Sequence, residues 1–589
     1  MTTAAALEAR LVAHEADAFA PDLLAALDEN EEFPAEAVRV LDEAGLPAHY
    51  VLTPDADVSE TVRLLRSVAR RDLTVAIAHG KTFLGTVPVW LAGTPEQTAD
   101  LAGRVRAGSP VCWGLTERDH GADLFASELT ATAEDTQQGR SWRLSGEKWL
   151  INNATRADLA CVLARTDPAG GGRGFSLFLV DKTRLPHGSW RDLPKVRTHG
   201  IRGADISGFT LDDAPLPADT LVGAEGDGIP VVLTSLQLTR IACGALSLGA
   251  ADHALRLARE FTTKRELYGR RLADIPHVRR ILGQAAAAAL TAEAVVLLAA
   301  RSVHTLPGEL SVTSAIAKAF VPTLTQTTLS SLAELLGVRG FLTSPPGGGF
   351  AKLERDHRIC AIFDGSTAVN RAALLHQLPR LGRKLRRRQA DHDAVRATAD
   401  LTAAPPAFDR ERLALLSVTG CSLVQSLPDT AARVRSSATP ELTSLLDRLG
   451  TELALLEAES TAFVPTAGGL PSTAFTLAER YERLYAAAAC LALWDANPAL
   501  RTGPLGENAL WLRACLTTLV GDDENTPSAD ADSATAQHAP DCGPVNSAAP
   551  GPGSDPDLPD TPAPDLFDAL AAVLLERTAP EFTLLGAVT

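Results

Sequence analysis

Asp364 stands in the turn Ile362-Phe363-Asp364-Gly365-Ser366-Thr367, just after the charged run Glu354-Arg355-Asp356-His357-Arg358-Ile359. A carboxylate on a short loop before a helix can serve as a general base. Its plainer reading is a cap on the next helix, reached from three residues away. Far upstream, Leu115-Thr116-Glu117 closes an apolar run. Backbone N–H groups and a Thr hydroxyl at such a strand end can donate to a ligand edge that gains negative charge. About 25 residues on comes Gly146-Glu147-Lys148-Trp149-Leu150-Ile151-Asn152-Asn153, in which the Asn152 amide is a further donor. Arg265, in Arg265-Glu266-Leu267-Tyr268-Gly269, suits a bidentate phosphate contact, although an isolated arginine usually sits solvated at a helix end. The glycine runs at 170–174 and 347–349 follow no phosphate-loop spacing and read as turns.

The elements that must position these residues follow from pattern. Residues 1–110 show apolar residues at three-to-four spacing and read as helices. Residues 111–225 switch to short alternating runs between turn residues, an antiparallel β-domain. Residues 226–380 return to long helices. A basic run from Arg380 to Arg388 opens a linker over 381–407, and 408–520 is helical again. Residues 521–565 hold nine prolines, ten acids and no Lys or Arg, so they are expected to be disordered. A short terminal helix lies within 566–589. The fold class expected is α+β, mostly α.

Composition narrows the function. The chain has 589 residues, 46% hydrophobic and 22% charged, with a net charge of −17. That balance argues against a nucleic-acid binder held by a basic face. No uninterrupted apolar run approaches the ~18 residues of a membrane span, and Ala285 to Ala300 carries Glu293, so it reads as a buried helix. The N-terminus lacks the apolar core of a secretory signal. Eight scattered cysteines form no CxxC pair, which predicts neither a disulfide framework nor a metal site and points to a reducing cytoplasm.

Together the motifs at 115–123, 146–158, 265–269 and 355–367 resemble those of the acyl-CoA dehydrogenase family: TEPxxGSD, GxKxWITNAxxAD, RxxFG, and RDxRI before an EGT turn. The resemblance covers roughly residues 10 to 380. The helical C-terminal part resembles the very-long-chain branch, most closely in FTLAERYERLYAAAACLAL. It implies an N-terminal helical domain, a middle β-domain, a four-helix bundle and an additional helical domain. It also implies FAD, α-proton removal from an acyl thioester by Asp364, and hydride transfer from the β-carbon. The carrier would be CoA or an acyl carrier protein, and the acceptor electron-transfer flavoprotein or O2. Leu115 and Thr116 would meet the flavin, and Leu150 and Asn152 take the positions of the family's Trp and Thr beside it. Trp149, one residue earlier on a strand, would point to the other face. Arg265 would cross a dimer interface to the partner's FAD pyrophosphate. Ala122, Tyr268, Glu334, Gly337 and Ser366 fall at further cofactor positions, and Gln237 and Arg240 at substrate positions. A homodimer is expected, because the extension would cover the face that many relatives use to form tetramers.

Several positions depart from the family: Ala122 for Ser, Leu150 for Trp, Asn152 for Thr, Glu334 for the Gln of QxxGG, and Asp364 for Glu, while Pro276 replaces a Gln near the cofactor. These departures suggest a specialised substrate. They leave open an oxygen-using relative, akin to nitroalkane oxidase or a decarboxylating epoxyketone synthase, and a non-catalytic member that keeps the fold. The basic run reads as solvated, with contact to an acidic membrane surface as the alternative.

Overall fold

The computed structural model describes residues 2–136, 139–343, 349–466, 469–521, 565–577 and 582–587. The segment expected to be disordered lies outside these, apart from Gly521 and Asp565. Six helices come first: α1 (Ala4–Ala13), α2 (Pro21–Glu29), α3 (Ala35–Glu43), α4 (Val58–Ala69), α5 (Leu73–Ala92) and α6 (Pro95–Arg106). Asp72 caps α5 by accepting from the Val75 N–H at 2.9 Å.

The middle of the chain is a sheet of eight strands: β1 (Val111–Gly114), β2 (Thr130–Thr136), β3 (Gly139–Asn152), β4 (Leu159–Arg165), β5 (Phe175–Asp181), β6 (Trp190–Leu193), β7 (Ile206–Leu216) and β8 (Leu221–Val222). The order is β6-β7-β3-β2-β4-β5-β8, with β1 parallel to β4. The Ser-Trp-Arg-Leu alternation works as read, because Trp142 and Leu144 are buried and Trp142 meets Phe178 edge-on at 5.2 Å. Gly85 lets α5 lie directly on β1, since a Cβ there would sit 2.8 Å from the Val111 carbonyl oxygen.

A four-helix bundle follows: α7 (Gly228–Lys264), α8 (Pro276–Thr305), α9 (Leu310–Leu336) and, after the short α10 (Gly349–His357), α11 (Thr367–Arg387). Helices α7 and α8 are long and apolar enough to cross a membrane, yet 83% and 89% of those apolar windows are buried within the fold. Arg66 on α4 ties the N-terminal helices to the bundle through Asp252 on α7 at 2.8 Å and Glu293 on α8 at 2.6 Å.

The basic run is not a linker. Arg380 to Arg387 form the last turns of α11, where Leu381 and Leu385 are buried and Arg380 donates to the Ser417 carbonyl at 2.9 Å. A further helix, α12 (His392–Ala399), lies inside the expected linker, and irregular chain follows it. The run is helical because apolar residues recur at helical spacing beneath its charges.

The C-terminal part adds α13 (Leu427–Arg435), α14 (Pro440–Ala462), α15 (Ala474–Ala496), α16 (Leu510–Val520) and α17 (Leu566–Glu576). Helices α15, α16 and α17 pack on α8, so α8 is covered within one chain. Gly283 permits this, since a Cβ there would meet the Phe567 carbonyl oxygen at 1.9 Å. The seven cysteines among the described residues are free thiols.

Candidate functional site

Asp364 does not cap a helix. Ser366 does, with its hydroxyl accepting from the Val369 N–H at 3.3 Å. Asp364 itself has φ 55°, a left-handed conformation that a non-glycine residue adopts only under constraint. Arg240 on α7 donates through Nε to the Asp364 carbonyl at 3.0 Å. Lys318 on α9 donates to the carbonyls of Cys360 at 2.6 Å and Gly365 at 3.2 Å. The loop is thus clamped from two helices, and its carboxylate turns inward.

There the carboxylate meets two groups that sequence reasoning missed. The Cys243 thiol donates to Oδ2 at 3.2 Å, and the Lys81 ammonium lies 3.7 Å from Oδ1. Burial pushes the Cys243 thiol pKa well up, so it remains a donor. Burial also pushes Lys318 down, opposed by the neighbouring carboxylate. Lys81 stacks over the Phe363 ring at 3.6 Å. A signal for Lys81 was available: the chain holds only eight lysines, and this one interrupts an apolar helix. Leu65, Ile77, Phe83, Leu84, Leu246 and Phe363, with Cys243, line a small cavity beside it, of about 20 Å³.

On the sheet side, Leu115 and Thr116 follow the end of β1, and Leu150 and Asn152 lie at the end of β3. Lys148, fully buried, donates to the Leu115 carbonyl at 3.1 Å and to Glu117 at 2.7 Å. Burial pulls the Lys148 pKa down to about 8 against the pull of Glu117. Burial pushes Glu117 up, but Lys148 and hydrogen bonds outweigh it and hold the acid low. Trp149 donates its N–H to the Thr116 carbonyl at 2.9 Å and stacks with Arg118. The expected simple alternation breaks at Leu150. It sits in a bulge at φ 59°, a register shift that leaves its side chain exposed. Asn153 donates to the Ala78 carbonyl at 3.2 Å, so this strand end lies one helical turn from Lys81. The Asn152 Oδ1 and Trp113 Nε1 atoms are buried without a partner. Gln237 is buried, donates to the Ala414 carbonyl at 2.9 Å, and leaves its Oε1 unpartnered.

Other expected residues are not brought to Asp364. Ala122 is on an exposed loop. Tyr268 is the tip of a two-strand hairpin and is 97% exposed. Arg265, Glu334 and Gly337 lie at the opposite end of the bundle, where Gly337 ends α9 at φ 58°. Arg240 and Arg265 are 25 residues apart along α7, or about 38 Å at a helical rise of 1.5 Å per residue. Arg265 lines a separate groove of about 600 Å³ with Lys264 and Arg339. These three cations make no ion pair among the described residues and could each contact a phosphate, although Glu15, Asp22, Asp72 and Glu260 line the same groove.

The motif residue Asp356 is structural. It pairs with Lys352 at 2.7 Å and accepts the Ile201 N–H at 2.7 Å, latching the β-domain to the bundle. Its neighbour His357 is fully enclosed between Gln326 and Ser247, at 2.9 and 3.0 Å. Burial pushes its pKa down to about 3. The unfolded imidazole takes its proton near pH 6.5, so only the unfolded state gains one as pH falls from there. Stability is expected to be full above pH ~6.5 and to fall by up to about 1.4 kcal/mol per pH unit below it for this group. Urea melts at pH 7, 6 and 5 check this, and His357→Gln should flatten that acid limb by up to one proton.

Comparison with known proteins agrees with this layout. Residues 112–214 match the family model described as acyl-CoA dehydrogenase, middle domain, and residues 226–378 match acyl-CoA dehydrogenase, C-terminal domain. The probable acyl-CoA dehydrogenase FadE25 of Mycobacterium tuberculosis is 28% identical over 363 residues, which is 60% of this chain and 90% of FadE25. The structure of butyryl-CoA dehydrogenase from Megasphaera elsdenii superposes with a TM-score of 0.58 at 23% identity, covering 63% of this chain and 97% of that one. An acyl-CoA dehydrogenase from Bacillus anthracis, solved in complex with FAD, gives 0.63 at 20% identity, covering 88% and 84%. That last match extends the shared fold into the C-terminal helices.

Proposed function

We propose that the chain is a member of the acyl-CoA dehydrogenase family and that it acts as an FAD-dependent oxidoreductase that desaturates an acyl thioester between the α- and β-carbons. The observation that carries this is Asp364. It is a loop carboxylate held by Arg240 and Lys318 through backbone carbonyls, buried against Lys81 and Cys243, which line a small apolar cavity, instead of capping α11.

The residues present fit FAD. Buried polar atoms without partners cost about 1–3 kcal/mol each, and Trp113 Nε1 and Asn152 Oδ1 are such atoms on the sheet side of the site. A flavin edge carries both donors and acceptors. Leu115, Thr116, Trp113 and Asn152 would hold the ring, and Arg265 with Arg339 the pyrophosphate. When bound, FAD supplies the acceptor for the hydride leaving the β-carbon. Asp364 takes the α-proton. Arg240 holds the loop so that this carboxylate keeps its aim, and the apolar walls exclude water.

Arg265 lies about 38 Å of helix from Arg240, which holds the Asp364 loop, so it stands at the far end of the bundle from the proposed base, and the family resemblance assigns it to the FAD of a partner chain. A homodimer in which Arg265 serves the partner's FAD follows from this reading. Arg265→Ala should yield protein with markedly less bound flavin. Unchanged flavin content after purification would remove the assignment.

The direct test of function is an anaerobic titration of the yellow holoenzyme with thioesters on CoA and on acyl carrier protein. Bleaching of the flavin by at least one thioester is expected, with re-oxidation by electron-transfer flavoprotein. Re-oxidation chiefly by O2, with peroxide or an oxygenated product, would favour the oxidase reading instead. A cytoplasmic setting is part of the proposal.

A further inference from the structure

We propose that Lys81 makes this site selective for a short acyl group ending in a carboxylate, a four-carbon diacid monothioester such as a succinyl group; the inference rests on the dehydrogenase reading above. Three buried cations, Lys81, Lys318 and Arg240, surround one carboxylate, Asp364. Lys318 and Arg240 are answered by backbone carbonyls. Lys81 is not. It is 8% exposed, its nearest acidic oxygen is 3.7 Å away, and it donates no hydrogen bond to a described residue. Its other contact is the face of Phe363 at 3.6 Å.

A buried ammonium carries three donors and is costly to leave without acceptors. The side chains around it are Leu65, Ile77, Phe83, Leu84, Leu246 and Phe363, and the Cys243 thiol, their one polar group, already donates to Asp364. With no substrate present a water can accept from it, and a substrate carboxylate would take that water's place. An anion would also balance the surplus positive charge around Asp364. The cavity has room for about one water, roughly 20 Å³. A long hydrocarbon tail would have to displace the ammonium, whereas a carboxylate on the β-carbon would accept from it. Asp364 would take the α-proton and FAD, when bound, would supply the acceptor for the β-hydride, so the product would be an α,β-unsaturated diacid monothioester.

The test uses the holoenzyme under anaerobic conditions with succinyl-, glutaryl-, butyryl- and hexanoyl-CoA. Both the rate of flavin bleaching and the dissociation constant from calorimetry are read. Wild type should favour succinyl- over butyryl-CoA by at least about tenfold. Lys81→Met, close to isosteric, should lose about 10–100-fold on the diacid and close or reverse the gap while keeping its flavin. Lys81→Arg should recover part of the diacid preference. Equal or better use of butyryl-CoA by wild type, or an unchanged ratio in Lys81→Met, overturns the inference and leaves the dehydrogenase reading standing. If no thioester on either carrier bleaches the flavin, both fall.

Discussion

Asp364→Asn is expected to slow flavin reduction by substrate by about 10²–10⁴-fold, the usual loss when a general base is removed. The change keeps size and turn but deletes the basic lone pair. The Arg240 and Lys318 clamps bind backbone carbonyls, so they survive it. FAD content should therefore hold, which separates lost chemistry from lost cofactor. Rapid-mixing absorbance under anaerobic conditions measures it, and reduction at the wild-type rate would refute Asp364 as the base. Asp364→Glu restores the family's longer arm, but here it pushes a carboxylate toward Lys81 and Cys243. It should lower activity on the native substrate, because placement errors near 1 Å matter at a reacting centre.

Lys148→Met should destabilise the protein by about 3–5 kcal/mol, the range for stripping one partner from a buried ion pair. Glu117 would keep the hydroxyl of Ser127 and the N–H groups of Glu128 and Leu129. It would lose its countercharge. The turn at Leu115 would lose the tie that fixes its carbonyl, so flavin content should fall along with stability. Urea melts and the ratio of flavin to protein absorbance measure both. A variant as stable as wild type, with full flavin, would show that the pair does not hold this turn. Replacing both residues, Lys148→Met with Glu117→Gln, should recover part of the loss, because no lone charge then remains buried.

Much of the plan was legible along the chain. The switch from helical to alternating periodicity near Val111 and back near Gly228 marks where the sheet begins and ends, because each element repeats its contact with the core at its own period. The motif at 355–367 located the Asp364 turn. Local signals failed where another element intrudes. The charges of Arg380 to Arg388 outweighed the buried leucines beneath them, so a helix read as a linker. Leu150 followed the strand pattern until a bulge, set by its pairing with β7, turned it outward.

What the sequence alone determined is the set of chemical parts and their order: a loop carboxylate, a donor-bearing strand end, an arginine for phosphate, and helices to carry them. Those depend on residue type and short-range spacing, which a single chain displays directly. Tertiary structure alone decided which parts meet. It placed Lys81 and Cys243, 121 residues or more from Asp364 along the chain, against its carboxylate. It also sent Arg265 to the far end of the helix that carries Arg240. Such meetings are set by the packing of α5, α7 and α9 around the loop. A polar group on an apolar helix shows its role only when the surface it is buried against is known.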